Sequence, residues 1–165
     1  MNGSVQRIDR GNIYIDLGKA FGIMYFSESI PGEHYRTGER LRFYLIDVQN
    51  AERNPAILLS RTHPKFISKL FELEIPEIFD GIVEIKSIAR EAGSRTKVAV
   101  TSNVERVDAV GACVGQRGSR IMAINSEFSN ERIDIVEWSD KSEEYIASSL
   151  SPATVSSVEI ISPNT

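Results

Sequence analysis

The 165-residue sequence contains one cysteine and two histidines, and this scarcity excludes several classes of protein. A single cysteine cannot form a disulfide within the chain or supply a zinc-binding quartet. No run of 18 apolar residues is present, so no segment is expected to span a membrane as a helix. The first residues, MNGSVQRIDRG, lack the basic-then-apolar pattern of a secretory signal, which predicts a cytoplasmic protein.

Composition and charge leave a globular, nucleic-acid-binding chain possible. Hydrophobic residues make up 41% and charged residues 25%, which is ordinary for a folded protein. The net charge of −4 argues weakly against a nucleic-acid partner. However, residues 121–165 hold two basic residues against eight acidic ones, which leaves seventeen against fifteen in residues 1–120. This mild positive excess permits a local phosphate-binding face, with an ordinary mixed-charge surface as the alternative.

The first sixty residues follow strand patterns. Asn12–Leu17 alternates, with Ile13, Ile15 and Leu17 on one face and Tyr14 on the other. Further strands are predicted near Ser4–Asp9 and at Ile23–Phe26, Leu41–Val48 and Ala56–Ser60, with a loop at Gln49–Pro55. Five short strands in so few residues predict a small closed barrel, because closure removes exposed strand edges.

Helical spacing begins after Thr62. Phe66, Ile67, Leu70 and Phe71 predict a helix that starts at Pro64 and stops before Pro76. The predicted elements that follow are strands Gly81–Ala89 and Thr96–Thr101, helices Asp108–Val114 and Ser119–Phe128, strand Arg132–Trp138 and a last helix from Asp140. We therefore predict an all-β domain over residues 1–61, an α+β domain over 62–150 and a tail over 151–165.

The most informative motif is Gly115-Gln116-Arg117-Gly118, between two predicted helices. Glycines let a nucleic-acid backbone approach because no Cβ intervenes, and loop amides with the next helix N-terminus direct positive charge at phosphate. Arg117 and Arg120 are expected to add mobile cations. The residues predicted to contact RNA are Gly115, Gln116, Arg117, Gly118, Ser119, Arg120 and Ile121. A plain turn is the alternative, but a Gly-x-x-Gly loop after two strands and before a third is the pattern of a KH domain.

The first half offers a second candidate RNA surface. Five-stranded barrels of the OB type often bind oligonucleotides through a strand face and its loops. Tyr14 points away from the aliphatic face of its strand, as a base-stacking residue would. The residues predicted to contact RNA here are Tyr14, Tyr25, Arg10 and Arg61, with Arg7 and Arg42 as further candidates. The alternative is that aromatic residues fill the barrel, which is the interpretation preferred for Phe26 and Phe43.

These motifs resemble those of one bacterial family. Three segments look like the S1-like domain of NusA: Asp16–Gly22, Ile30–Tyr35 and Ile57–Pro64. Five more are similar to its first KH domain: Pro76–Ile78, Gly81–Glu91, Thr96–Val100, Val110–Gly115 and Arg132–Val136. The resemblance covers nearly the whole chain. It implies a five-stranded OB-type (S1-like) barrel followed by an α+β KH domain of the type II kind.

The resemblance also implies a role in transcription elongation, termination and antitermination. The implied partners are single-stranded nascent RNA, RNA polymerase and other elongation factors, with no cofactor, metal or membrane. Family members usually carry a polymerase-docking domain before this region and a second KH domain after it. The segment Ser151–Ile160 resembles the start of that second KH domain. The chain is therefore expected to be either an excised fragment or a short homologue. Tyr25 stands where the family often has another residue type.

No catalytic or metal-binding residues are predicted. Cys113 lies in the helix before the loop, where a small buried residue is favoured over a thiolate nucleophile. His34 and His63 have no Cys or His partner at metal-ligand spacing. Two alternatives remain open at this point: an RNA-binding accessory region of an RNA-processing or decay enzyme, and a protein-interaction scaffold that uses the acidic last quarter.

Overall fold

A computed structural model describes residues 1–49 and 56–139 of the chain. The chain divides into two compact units, Met1–Lys69 and Leu70–Thr165. The division lies within helix α1 (Pro64–Glu74), a few residues beyond the boundary predicted after residue 61. The predicted helix from Asp140, the tail 151–165 and most of the loop at 49–55 lie outside the described residues. The predicted domain limits therefore stay a prediction.

The described part of the first unit contains six strands, β1 (Asn2–Asp9), β2 (Asn12–Asp16), β3 (Phe21–Met24), β4 (Arg40–Arg42), β5 (Tyr44–Gln49) and β6 (Ala56–Ser60). The alternation predicted for β2 is confirmed, because Ile13 and Ile15 are buried while Tyr14 between them is partly exposed. Arg10 and Gly11 join β1 to β2 with φ angles of 51° and 82°. Two consecutive positive φ angles between paired strands form a type I′ hairpin turn.

The strand count differs from the prediction at Phe43. The sheet order is β4-β1-β2-β3-β6-β5, and its two outermost strands, β4 and β5, are separated in sequence by Phe43 alone. The strand predicted over Leu41–Val48 is divided into β4 and β5 at Phe43, so the sheet of the described residues has six strands, and the predicted five-stranded barrel stays a prediction. The Phe43 side chain is buried in the core, while its N–H donates to the Met1 carbonyl over 2.7 Å and its carbonyl accepts from the Met1 amino group over 3.0 Å, which continues the pairing with β1.

The core of the first unit is formed by Val5, Ile13, Ile15, Met24, Phe43 and Leu59. Phe43 thus lies in the core, as predicted. Phe26 was also expected to fill the barrel, but it is 71% exposed, and that expectation is wrong. The reason is that β3 ends at Met24, after which the Phe26 N–H donates to the Asn12 side chain over 3.1 Å and opens a 3₁₀ helix, Phe26–Glu28. The strand alternation therefore no longer applies at Phe26.

The elements that follow α1 are α2 (Pro76–Phe79), β7 (Val83–Glu91), β8 (Arg95–Ser102), α3 (Ala109–Val114), α4 (Ser119–Asn125) and β9 (Arg132–Glu137). β8 is the middle strand of its sheet, antiparallel to β7 and parallel to β9. The predicted order of elements is confirmed, except that Pro76 begins a further short helix, as a proline at the first helical position can. None of the helices in residues 1–49 and 56–139 is long and apolar enough to cross a membrane.

A buried ion pair lies inside the second unit. The Glu131 carboxylate accepts hydrogen bonds from the Arg90 guanidinium over 3.1 and 3.2 Å, from the Gly93 N–H over 2.8 Å and from the Thr96 hydroxyl over 2.8 Å. The Arg90 guanidinium also lies 5.3 Å from the centroid of the Phe128 ring. Glu131, which directly precedes β9, therefore binds the β7–β8 hairpin through its carboxylate.

Candidate nucleic-acid interface

The Gly-x-x-Gly loop joins α3 to α4, as the sequence predicts. Gly115 ends α3 with φ 77° and ψ 178°, and its N–H donates to the Gly111 carbonyl over 2.9 Å. Residues Gln116–Gly118 form one 3₁₀ turn, and the Gly118 N–H donates to the Gly115 carbonyl over 3.2 Å. Arg117 and Gly118 follow one another in left-handed backbone geometry, with φ 55° and 73°. The turn is therefore fixed by local hydrogen bonds and by residues with positive φ.

The two glycines are required for different reasons. A Cβ on Gly115 would lie 2.7 Å from the Arg120 Cγ, so the left-handed backbone and a close side chain both exclude larger residues. A Cβ on Gly118 would have its nearest neighbour at 3.8 Å, so only the left-handed backbone favours glycine there. Of the two glycines, Gly115 is thus the more tightly packed, and Gly118 has room for a Cβ.

The loop presents an accessible polar surface beside an open depression. Gln116, Arg117 and Ser119 are exposed, whereas Gly115, Gly118 and Ile121 are half-buried. The depression has a volume of about 500 Å³ and is lined by Gly111, Gly115, Gln116, Ser119 and Arg120. The exposed residues predicted for this interface therefore lie together, and Arg117 is the cation that extends from the turn.

Arg120 is held more firmly than the sequence predicts. Its Nη1 donates to the Glu77 Oε2 and to the Ala112 carbonyl oxygen, each over 2.7 Å. The guanidinium is held by a carboxylate and a helix carbonyl instead of extending freely, and the predicted contact of Arg120 with RNA stays a prediction. Its partner Glu77 in α2 lies 43 residues away in sequence, so no local sequence pattern predicts the pair.

Cys113 is fully buried in α3, as predicted. Burial, and to a smaller extent the Glu77 carboxylate, raise the pKa of the Cys113 thiol to about 12. A thiol that stays protonated at neutral pH is not an activated nucleophile. Within residues 1–49 and 56–139, no group of three or more His, Cys, Asp or Glu side chains could hold a metal ion.

The first unit gathers part of its predicted surface at the β1–β2 hairpin. The Arg7 guanidinium lies 4.2 Å from the centroid of the Tyr14 ring, and the two residues are paired across the strands. Arg10 is exposed at the hairpin tip, and Tyr25 is 43% exposed directly after β3. These positions agree with an accessible surface that carries both aromatic rings and cations.

Arg61 is the clear correction in this unit. Its side chain is 0% exposed, its Nε lies 2.9 Å from the Glu33 Oε1, and its Nη1 donates to the Arg42 carbonyl over 2.7 Å. The guanidinium also lies 5.3 Å from the Phe66 ring centroid. The expectation that Arg61 offers its charge to RNA is therefore wrong for this structure, because that charge is already satisfied in the interior.

The fold and the loop together define the class of protein. Two strands, two helices around a Gly-x-x-Gly loop and a third strand make up the core of a KH domain. A family model described as the NusA-like first KH domain matches residues 61–138. Residues 61–138 are therefore similar to that family.

Curated relatives extend the similarity along nearly the whole chain. The transcription termination/antitermination protein NusA of Halalkalibacterium halodurans is 49% identical over 160 residues, which are 97% of this chain and 42% of that protein. The NusA protein of Thermus thermophilus is 46% identical over 161 residues, with coverage of 97% and 42%. That of Bacillus subtilis is 46% identical over 155 residues, with coverage of 94% and 42%. The predicted resemblance to NusA is confirmed, and the chain spans less than half the length of these relatives.

The names of these relatives describe transcription termination and antitermination, and not an enzymatic activity. They agree with the prediction that the chain is not an enzyme.

Proposed function

We propose that this chain binds single-stranded RNA as part of a transcription termination/antitermination factor, with the Gly115–Gly118 loop in contact with the RNA backbone. The observation that carries the proposal is the shape of the loop, which exposes Gln116 and Arg117 on a turn of fixed left-handed geometry. The role in termination and antitermination comes from the names of the relatives. Loops of this kind in KH domains bind about four nucleotides of single-stranded nucleic acid.

The surroundings of the loop suit unstacked bases better than a duplex. The depression beside it is open and about 500 Å³ in volume, which is the size of site that single bases can enter. On α4, Ile121 is half-buried and Met122 is 62% exposed, so apolar side chains lie next to the polar turn. Bases can lie on such apolar side chains while the backbone phosphates meet Arg117.

We assign the first unit as an S1-like barrel of the OB type with a second RNA surface. β4 and β5 then count as one strand bent at Phe43, which gives the five strands of such a barrel. Tyr14, Tyr25 and Arg10 are the residues of this surface. The guanidinium over the Tyr14 ring is an arrangement to which a base can add by stacking, and such stacking contributes about 1–3 kcal/mol per base.

Within the longer proteins of this family, the RNA would be the nascent transcript. Because a nascent transcript is made by RNA polymerase, the implied partners are RNA polymerase and other elongation factors, and the implied location is the cytoplasm. These partners follow from the proposed role in transcription, and the loop geometry supports only the contact with RNA.

A titration with a short unstructured RNA and with the same sequence as a duplex tests the proposal. We expect tighter binding of the single strand, with the logarithm of the binding constant falling by about 0.7 for each phosphate contact per unit of log salt concentration. Equal affinity for both forms would contradict single-strand recognition.

The double substitution Gln116→Asp with Arg117→Asp tests the loop. It removes one cation and adds two anions where phosphate must approach, so we expect most of the RNA affinity to be lost. Both side chains are exposed, so the melting temperature should change little, as for surface substitutions worth less than about 0.5 kcal/mol.

The control for the loop variant is Arg132→Asp. Arg132 is 68% exposed on β9 and lies outside the depression, so this change should affect RNA affinity much less. If the loop variant kept both its affinity and its melting temperature, Gly115–Gly118 would be only a turn, and any RNA binding would belong to the first unit.

A further inference from the structure

Arg120 connects three segments that meet at the Gly-x-x-Gly loop. Its Nη1 donates to the Glu77 Oε2 in α2 and to the Ala112 carbonyl in α3, each over 2.7 Å. Its aliphatic stem packs against Gly115, where a Cβ would come within 2.7 Å of Cγ. The side chain therefore contacts α2, the C-terminal end of α3 and the first residue of the loop at once.

The chemistry of these contacts favours a fixed guanidinium. The Ala112 carbonyl is among the last four of α3, which lack helical donors and carry partial negative charge. Glu77 provides a full negative charge on the other side. Its own backbone N–H, together with the hydrogen bond and charge of Arg120, lowers the pKa of the Glu77 carboxyl against an opposing effect of burial. A phosphate that approached Arg120 would have to replace both acceptors.

We propose that Glu77 and Arg120 are positioning residues, which hold the Gly115–Gly118 loop in its shape while Arg117 contacts the phosphate. The expected effect on RNA affinity rests on the proposed RNA binding, whereas the expected effect on the shape of the loop does not. The contrast with Arg117 is direct, since Arg117 is exposed and projects from the turn, whereas Arg120 is about one-third exposed and held on two sides.

The first test measures the loop without RNA. In the full chain, amide hydrogen exchange at Gly115 and Gly118 reports the bonds to Gly111 and Gly115 that close the turn. Glu77→Gln removes the charge of the partner, and Arg120→Lys keeps the positive charge but not the planar donor group. We expect exchange at both glycines to become about tenfold faster in each variant. Arg117→Met, the matched control within the loop, should leave the exchange unchanged.

The second test measures RNA affinity against salt concentration. For Glu77→Gln and Arg120→Lys we expect a several-fold higher dissociation constant and an unchanged salt slope, because no phosphate contact is lost. For Arg117→Met we expect weaker binding and a slope smaller in magnitude by about 0.7. Arg120→Lys separates the two roles, because a charge that merely contacted phosphate would survive this replacement.

Two results would overturn the assignment. If Glu77→Gln bound RNA more tightly with a steeper salt slope, Glu77 would be competing with RNA for Arg120, and Arg120 would be a phosphate ligand. If both variants left exchange at Gly115 and Gly118 unchanged, neither residue would hold the loop. A wild-type chain that bound no RNA would refute the proposed function, and the exchange experiment would still decide the positioning role.

Discussion

Each unit buries an arginine–glutamate ion pair, and the two pairs differ in how completely they are enclosed. In the first unit, Arg61 pairs with Glu33 in the interior, and in the second unit Arg90 pairs with Glu131. Glu131 accepts bonds from a guanidinium, a backbone N–H and a hydroxyl, and its side chain is 0% exposed, against 8% for Glu33. The second pair is thus the more completely enclosed, and its loss should affect stability more.

The two units also place an exposed arginine before a glycine in a left-handed turn. Arg10-Gly11 is held on both sides by the paired strands β1 and β2. Arg117-Gly118 has no strand ladder around it and lies beside the fixed side chain of Arg120. Similar backbone geometry therefore lies within a strand ladder in one unit and beside a fixed side chain in the other.

The largest expected effect is the loss of Glu131. Glu131→Ala leaves the buried Arg90 guanidinium without its carboxylate, and breaking a buried pair in this way costs about 3–5 kcal/mol of unfolding free energy. Denaturant unfolding followed through Trp138, the only tryptophan in the sequence, reports on this unit. Arg132→Ala, which breaks an exposed contact of 3.3 Å to Asp134, is the control and should shift the midpoint little. An unchanged midpoint in Glu131→Ala would contradict the role of the pair.

High pH should lower the unfolding free energy of each unit, and the pH range (the window) over which it does so should differ between the two units. Burial is the main cause that raises the pKa of Tyr35 from 10.0, and of Cys113 from 9.0, to about 12 in both cases. Because the folded pKa is the higher one, the stability from each group is complete below its unfolded pKa and is lost as pH rises to about 12. Inside its window, each group should lower the unfolding free energy by about 1.4 kcal/mol per pH unit.

Matched variants separate these two windows. Cys113→Ala should flatten the decline of the second unit between about pH 9 and 12, and Tyr35→Phe that of the first between about pH 10 and 12. Unfolding at several pH values, followed by Trp138 fluorescence for one unit and by methyl NMR signals for the other, measures both slopes. Identical slopes in wild type and variant would show that the group does not titrate as expected.

The smallest expected effects compare the glycine turns. Gly115→Ala should cost about 2–3 kcal/mol, because it combines a left-handed backbone with a methyl group 2.7 Å from the Arg120 Cγ. In Gly11→Ala the new methyl group would lie 3.1 Å from the Phe26 ring, and this exposed ring can move aside. In Gly118→Ala the nearest atom would be 3.8 Å from the methyl group. Each of these two should cost about 1–2 kcal/mol, with Gly118→Ala the lower. Thermal melts of the three variants give the order, and a larger loss for Gly118→Ala than for Gly115→Ala would contradict it.

Periodicity predicted most of the fold because burial on one face repeats along a strand or helix. Ile13 and Ile15 could be assigned to the core from their alternation alone, and the glycine loop could be placed from the change of pattern on each side of it. Periodicity ends where an element ends. Phe26 continued a run of apolar residues but lies just past β3, so its side chain no longer follows the strand.

The candidate site was harder to predict because ion pairs are not periodic. Arg61, Arg90 and Arg120 find acidic partners 28, 41 and 43 residues away, and a local sequence window holds only one member of each pair. Arg61 and Arg120 are accordingly among the residues that the sequence predicts to contact RNA. Only the folded chain shows which arginines are already held and which, like Arg117, extend into solvent.

The parallel pairing of β8 with β9 has a consequence for the order of folding events. Parallel neighbours need a long crossover, and here it spans residues 103–131 and includes α3, the glycine loop and α4. Contacts between residues so far apart along the chain slow folding. We therefore expect the third strand to dock late, with Cys113 reactive toward thiol reagents until it does. The time course of thiol protection during refolding would then show when the Gly115–Gly118 loop reaches its folded shape.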